Sequence, residues 1–161
     1  MIKKIILWIL TLSCAGTIFY FSSQEAVKSS KVSSEFITTV VKTLDFKDTL
    51  TEKEIEKISV GLTFIVRKSA HFCIYALLGL LIALLYHEYE LYGKQLFLKA
   101  TVTSFLYAVS DEFHQHFVKG RSGEIRDVCL DTLGAICGAA FVAICVFYHM
   151  KYRERNEKNE L

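Results

Sequence analysis

Four apolar runs, each with little or no charge, divide the chain and are long enough to form membrane-spanning helices. They predict spans at about 5–21, 69–86, 95–111 and 129–148. A helix of about 17 residues is roughly 26 Å long, close to the ~30 Å hydrocarbon core of a bilayer. A soluble bundle would show a polar stripe along each helix, and the first, second and fourth runs show none. The pattern therefore predicts an all-α polytopic membrane protein with four transmembrane helices.

The polar loop between the first two runs contains two segments with apolar residues at helical spacing. The apolar positions are Val32, Phe36, Ile37, Val40, Val41 and Leu44 in the first segment, and Ile55, Ile58, Leu62 and Ile65 in the second. Thr51 and Glu54, just before the second, fit a capping box. We therefore expect two amphipathic helices in this first extracytoplasmic loop. They would lie on the membrane surface or cap the bundle. The alternative is a lid over the polar site described below.

Composition is consistent with a single membrane domain. The 161 residues support one domain, with a core at about 5–148 and a charged tail at 149–161. Hydrophobic residues make up 52% of the chain, which is high for a soluble protein. The net charge is +2 and no basic patch interleaves with aromatic residues, so a nucleic-acid partner is not expected. The five cysteines lack CxxC spacing and predict neither disulfides nor a cysteine zinc site. No cofactor is predicted.

Basic residues near both ends predict the orientation. Lys3 and Lys4 precede the first span, and Lys151, Arg153 and Arg155 follow the last. Basic residues accumulate on the cytoplasmic side of membrane helices. We therefore expect a multi-pass protein of the cell membrane with both termini in the cytoplasm. The first run is interpreted as a retained span rather than a cleaved signal peptide.

Alternating spans would bring the polar residues that flank them to one membrane face. Arg67, His71 and Tyr75 are four residues apart and share a helix face. Asp131 lies about one turn inside the fourth span and is expected to pair with Arg67, Lys68, His71 or Arg121. The candidate ligand-binding residues are Gln24, Arg67, Lys68, Tyr75, Gln115, Arg121, Arg126, Asp127 and Asp131. The candidate catalytic residues are His71, Asp111, Glu112 and His114.

Glycines shape two further parts of the pattern. Gly134 and Gly138 give the fourth span a small-xxx-small face that allows close helix packing. Gly120 and Gly123 flank Arg121, so a tight turn there would present backbone N–H groups beside a guanidinium. That arrangement suits a phosphate or a carboxylate.

Five motifs together resemble the VanZ-like membrane proteins, whose type member is associated with resistance to the glycopeptide teicoplanin. They are Phe21-Ser22-Ser23-Gln24, Arg67-Lys68-x-Ala70-His71-Phe72-x-x-Tyr75-x-Leu77-Leu78, Asp111-Glu112-x-His114-Gln115-x-Phe117, Gly120-Arg121-Ser122-Gly123 and Asp127-Val128-x-x-Asp131-x-x-Gly134. The resemblance implies a cell-envelope context but no defined reaction. It also marks departures, since the family often has Glu where this chain has Ile74, Asn at Asp131 and Pro at Lys119.

Three hypotheses follow for the polar residues. The first is a site that binds or modulates an anionic envelope lipid or a lipid-linked cell-wall precursor, with arginines contacting phosphate. The second is a membrane hydrolase or phosphotransferase acting on such a lipid, with a histidine as base and Arg121 stabilising phosphate charge. The third is a lattice of ion pairs that only holds the helices together. The His and carboxylate side chains would also suit a metal in ligand type, but no metal site is predicted. The sequence leaves the oligomeric state open.

Overall fold

The computed structural model describes residues 1–44, 51–121 and 123–159, and these ranges are helical with short connections. The helices are α1 (Ile2–Ser22), α2 (Ala26–Leu44), α3 (Glu52–Glu88), α4 (Gly93–Gln115) and α5 (Ile125–Asn159). No strand occurs in the described ranges. The prediction of an all-α fold is confirmed.

Three of the described helices, α1, α3 and α5, are long and apolar enough to cross a membrane. α4 has 23 residues, or about 34 Å, but is not among them. Lys94, Lys99 and several Thr and Ser residues lower its hydropathy. The three helices therefore support the prediction of a membrane protein, while α4 as a further span stays a prediction.

The second amphipathic segment is not a separate helix, which corrects that prediction. α3 begins at Glu52 and continues for 37 residues into the apolar run. Its start is the predicted capping box: Glu54 Oε2 accepts from the Thr51 backbone N–H at 2.9 Å, and the Thr51 side chain accepts from the Glu54 N–H. The chain contains no proline, so nothing forces a break before the apolar run. At about 55 Å, α3 extends well beyond a ~30 Å hydrocarbon core.

α2 covers the first of the two predicted amphipathic segments and packs on the N-terminal part of α3. Ile37 and Val41 of α2 form a small apolar cluster with Ile55. The described contacts of α2 with other helices are all with α3. The side chains of Val32 and Leu44 lie outside the described part of the chain. The loop thus forms a helical hairpin that extends from the bundle at the end where Arg67 lies.

Glycines allow α3 and α5 to pack closely, as the small-xxx-small pattern predicted. A Cβ on Gly134 would overlap the backbone carbonyl of Phe72, and one on Gly138 would lie 2.8 Å from the Leu80 nitrogen. Gly79 of α3 similarly lies against the backbone of Ala135. We call these three glycines, Gly79, Gly134 and Gly138, the glycine seam. Any side chain in the seam would force the two helices apart.

Candidate functional site

Polar side chains from four helices and one loop meet at one end of the bundle. They come from the end of α1, the middle of α3, the end of α4, the loop after it and the start of α5. This confirms the predicted convergence, which required only that neighbouring helices run in alternating directions. The residues form two adjoining regions.

The first region is built on the buried carboxylate of Asp111, which is 2% exposed. Its Oδ2 accepts hydrogen bonds from Ser22 Oγ at 2.8 Å, Gln115 Nε2 at 3.1 Å and the Tyr75 hydroxyl at 3.2 Å. These donors lie on three different helices, so one carboxylate oxygen ties α1, α3 and α4 together. We call Ser22, Tyr75, Asp111, Gln115 and Arg121 the Asp111 network.

Arg121 joins the network from the loop before α5. Its Nη1 donates to Gln115 Oε1 at 2.8 Å, Nε donates to the Gln24 carbonyl at 3.0 Å, and Nη2 donates to the Phe21 carbonyl at 3.0 Å. Two of these acceptors are backbone carbonyls at or just after the C-terminal end of α1, where a cation is favourable. Burial and the nearby charge of Arg67 lower the pKa of Arg121. The Gln24 side chain points elsewhere, donating to the Tyr20 carbonyl at 3.5 Å.

The second region is a cavity of about 120 Å³ between α3, α5 and the loop before α5. We call it the polar cavity; its lining is Phe64, Arg67, Lys68, His71, Gln115, Gly120, Arg121, Glu124, Asp127, Leu130 and Asp131. Arg67 is half-buried there and makes no hydrogen bond or ion pair with any described residue. The cavity therefore contains a guanidinium that has no partner among the described residues.

The other charges of the polar cavity are partly paired. Lys68 and Asp127 form an ion pair, and His71 Nδ1 lies 3.7 Å from Asp131 Oδ2. The predicted pairing of Asp131 is thus confirmed for His71. Asp131 is 2% exposed, and its Oδ1 has no hydrogen-bond partner among the described residues. The cavity has buried polar capacity left for a ligand or water.

Besides Gln24, Tyr75 and Asp111, whose contacts are given above, three predicted site residues line no described cavity. Glu112 Oε1 accepts from the Glu124 backbone N–H at 2.7 Å and so holds the loop against α4. His114 Nε2 lies 3.1 Å from Ser23 Oγ, and its ring stacks on Phe19. Arg126 is exposed at the start of α5. The structure therefore brings His71 and Arg67 to the cavity, but not these three.

An apolar groove of about 250 Å³ lies between α1 and α3, beside the polar cavity. It is lined by Ile18, Phe21, Val66, Arg67, Ala70, His71, Ile74 and Arg121. Three of these residues, Arg67, His71 and Arg121, also line the polar cavity. The two spaces therefore adjoin each other, and these three side chains lie at their boundary. We call the second one the apolar groove.

Comparison with known proteins identifies the family. A family model described as VanZ/LLP1 matches residues 7–147. The chain belongs to the VanZ-like family. The matched range includes every residue of the polar site, from Ser22 to Asp131. No curated protein and no solved structure gives a significant match to the chain.

The VanZ-like departures at positions 74 and 131 lie on either side of His71. Ile74 lines the apolar groove, and Asp131 lies against His71 from the polar cavity.

Among the described residues no group of three or more His, Cys, Asp and Glu side chains is placed to hold a metal ion.

Sequence reasoning left several site residues out of the candidate set. Ser22 is fully buried against Asp111, and Gly120 and Glu124 line the polar cavity. Ser22 and Gly120 both lie within the motifs that carry the family resemblance, so those motifs were the available signal. Gly120 also has a φ of 77°, which favours glycine and supports the turn predicted around Arg121. Phe64 and Leu130 carried no such signal.

Proposed function

We propose that this VanZ-like protein binds the anionic head group of an envelope lipid, or of a lipid-linked cell-wall precursor, in the polar cavity. The observation that carries the proposal is Arg67, a half-buried guanidinium that lines the cavity without a described partner. A charge withdrawn from water is costly unless another charge or hydrogen bonds compensate it. A phosphate group can accept two parallel hydrogen bonds from a guanidinium and would supply that compensation.

The charges around Arg67 support an anion rather than a cation as the ligand. Arg121 lines the same cavity as Arg67. Burial lowers the pKa of Arg121, and the positive charge of Arg67 lowers it further. Lys68 and Asp127 offset each other as an ion pair. An anion between the two arginines would reduce their repulsion, whereas a cation would increase it.

The location of the site in the membrane follows from the proposed topology. With α4 as the fourth span and both termini in the cytoplasm, the polar cavity would lie at the outer face of a multi-pass protein. The ligand would then be a lipid of the outer leaflet, and the bilayer itself would deliver it. A link to teicoplanin resistance would follow if the ligand is a cell-wall precursor; expressing the protein in a sensitive bacterium should then raise the inhibitory concentration of teicoplanin.

The proposal is tested by neutralising Arg67 in the purified protein. Native mass spectrometry would compare retention of dioleoyl phosphatidic acid with that of dioleoyl phosphatidylcholine. We expect Arg67→Gln to reduce phosphatidic acid affinity about tenfold or more, the equivalent of one lost charge-assisted contact. Phosphatidylcholine retention should change little.

Arg126→Gln is the matched control, because Arg126 is exposed and lines neither cavity. It should retain phosphatidic acid as the native protein does. Equal losses in the two variants would mean that the lipid only neutralises surface charge. A native affinity in Arg67→Gln would overturn the proposal.

A second candidate function, a membrane hydrolase or phosphotransferase, is favoured by one observation. His71 lines the polar cavity, and Asp131 lies 3.7 Å behind its Nδ1. A carboxylate beside an imidazole orients it as a general base, and Arg121 would stabilise phosphate charge. Incubation of radiolabelled phosphatidic acid with the protein should release labelled phosphate if the protein is such an enzyme, and His71→Gln should abolish the release. Binding without any product favours the first proposal.

A further inference from the structure

The polar cavity and the apolar groove together have the shape of a two-part ligand. One space is lined mainly by charged and polar side chains, and the other by apolar ones. Arg67, His71 and Arg121 lie at the boundary and line both. A ligand that filled both would have an anionic group joined directly to an apolar chain.

We infer that the apolar groove holds the hydrocarbon chain of the same lipid whose anionic group lies in the polar cavity. This inference rests on the function proposed above and specifies the ligand class: a phospholipid-like molecule whose chain lies between α1 and α3. The protein would thus select a lipid through its chain as well as through its charge.

The direction of the groove supports a hydrocarbon chain. On α3 it extends from Arg67 through Ala70 to Ile74, a rise of about 10 Å along the helix axis. On α1 it extends from Phe21 back to Ile18. Both paths lead away from the charged end and into the uncharged part of each helix.

The groove is also open to the surface that bilayer lipid would cover. Val66 and Phe21 at its margin are 46% and 56% exposed, so the apolar wall is not sealed by the rest of the bundle. Apart from the three shared residues, every lining side chain of the groove is apolar. A free phosphate or a small soluble anion would leave this apolar surface unused, whereas an alkyl chain would cover it.

The test fills the groove without touching the charges. Ala70 lines the groove and is exposed on α3, so Ala70→Phe adds a ring there without overpacking the core. Cys73→Phe is the control, since Cys73 is exposed on the same helix and lines neither space. The probes are dioleoyl phosphatidic acid and glycerol 3-phosphate, which carries the same anionic group without chains.

We expect Ala70→Phe to weaken dioleoyl phosphatidic acid binding about tenfold or more and to leave glycerol 3-phosphate within about twofold. Cys73→Phe should change neither. Val66→Trp, at the margin of the groove, is the second variant and should reproduce the result if Ala70→Phe fails to fold.

The two proposals fail differently. Native dioleoyl phosphatidic acid affinity in Ala70→Phe and Val66→Trp would overturn the inference, while the loss in Arg67→Gln would still support the proposed function. Equal weakening of both probes by Ala70→Phe would also overturn it, because the ring would then act on the anion site. If Arg67→Gln changes the binding of neither probe, the proposed function fails, and this inference fails with it.

Discussion

The Asp111 network and the polar cavity lie at the same end of the bundle but differ in how their charges are used. In the network, one carboxylate oxygen accepts three hydrogen bonds and Arg121 donates three more. Asp111 and Asp131 each keep one buried oxygen without a hydrogen-bond partner among the described residues, so this feature is common to both regions. What distinguishes the cavity is Arg67, which makes no hydrogen bond or ion pair with a described residue. The network is thus suited to hold helices together, and the cavity to accept a ligand.

This difference reconciles two of the interpretations that the sequence left open. The Asp111 network fits the hypothesis of a lattice that only holds the helices together, because its donors come from several helices. The polar cavity fits the hypothesis of a binding site, because Arg67 lines it half-buried without a partner among the described residues, and a charge withdrawn from water is costly when nothing compensates it. One polar cluster therefore serves two purposes in adjacent places.

The largest expected effect comes from removing the centre of the network. Asp111→Ala should destabilise the protein by about 3–5 kcal/mol, because Ser22, Tyr75 and Gln115 lose a shared charged acceptor. The free energy of unfolding in detergent would be measured by titration with a denaturing surfactant.

Ser110→Ala provides the control for this variant, since Ser110 precedes Asp111 on α4 and is exposed. Its free energy of unfolding should be close to that of the native protein. Similar stability of the two variants would show that the network does not hold the helices.

A smaller effect should separate the two arginines. Arg121→Gln should cost about 2–3 kcal/mol of stability, because three hydrogen bonds from a charged donor are lost and water replaces only some of them. Arg67→Gln should stay within about 0.5 kcal/mol of the native protein, because no described contact is lost. The same surfactant titration measures both. Equal destabilisation would erase the distinction between network and cavity.

The smallest of the three effects concerns the glycine seam, which sets the spacing of the cavity walls on α3 and α5. Gly138→Ala should destabilise by about 1–3 kcal/mol, because its Cβ meets the backbone of Ala76 and Leu80. Lipid binding should fall as well, whereas the hydrogen bonds of Asp111, which do not involve α5, should persist. Thermal unfolding and phosphatidic acid retention would be measured together.

Gly61→Ala is the comparison for the seam, since a Cβ at that position of α3 would meet no heavy atom within 4 Å other than the nearby backbone of its own helix. It should be neutral or stabilise by up to about 1 kcal/mol through helix propensity. If Gly138→Ala behaves in the same way, the seam does not set the spacing.

Much of this arrangement was predictable from local pattern. The apolar runs predicted helices, Thr51 and Glu54 predicted the start of α3, and Gly134 with Gly138 predicted close packing. The sequence was less informative about which residues hydrogen-bond to each other. Ser22 was not selected because a serine at a helix end is ordinarily solvated, and nothing local shows that it reaches Asp111, 89 positions away. For Glu112, a candidate catalytic residue, spacing along the chain did not reveal that its Oε1 accepts from the Glu124 N–H.

The sequence by itself determined that the chain is helical, that it belongs in a membrane, and that its charges gather at one end of the bundle. Those properties follow from hydrophobic periodicity and from the alternation of helix direction, which need no coordinates. Only the tertiary structure decided which charges are used internally. Asp111, Lys68 and Arg121 find partners across helix interfaces, whereas Arg67 finds none among the described residues. Pairing depends on side-chain distances of a few ångströms between distant segments, and spacing along one chain does not specify them.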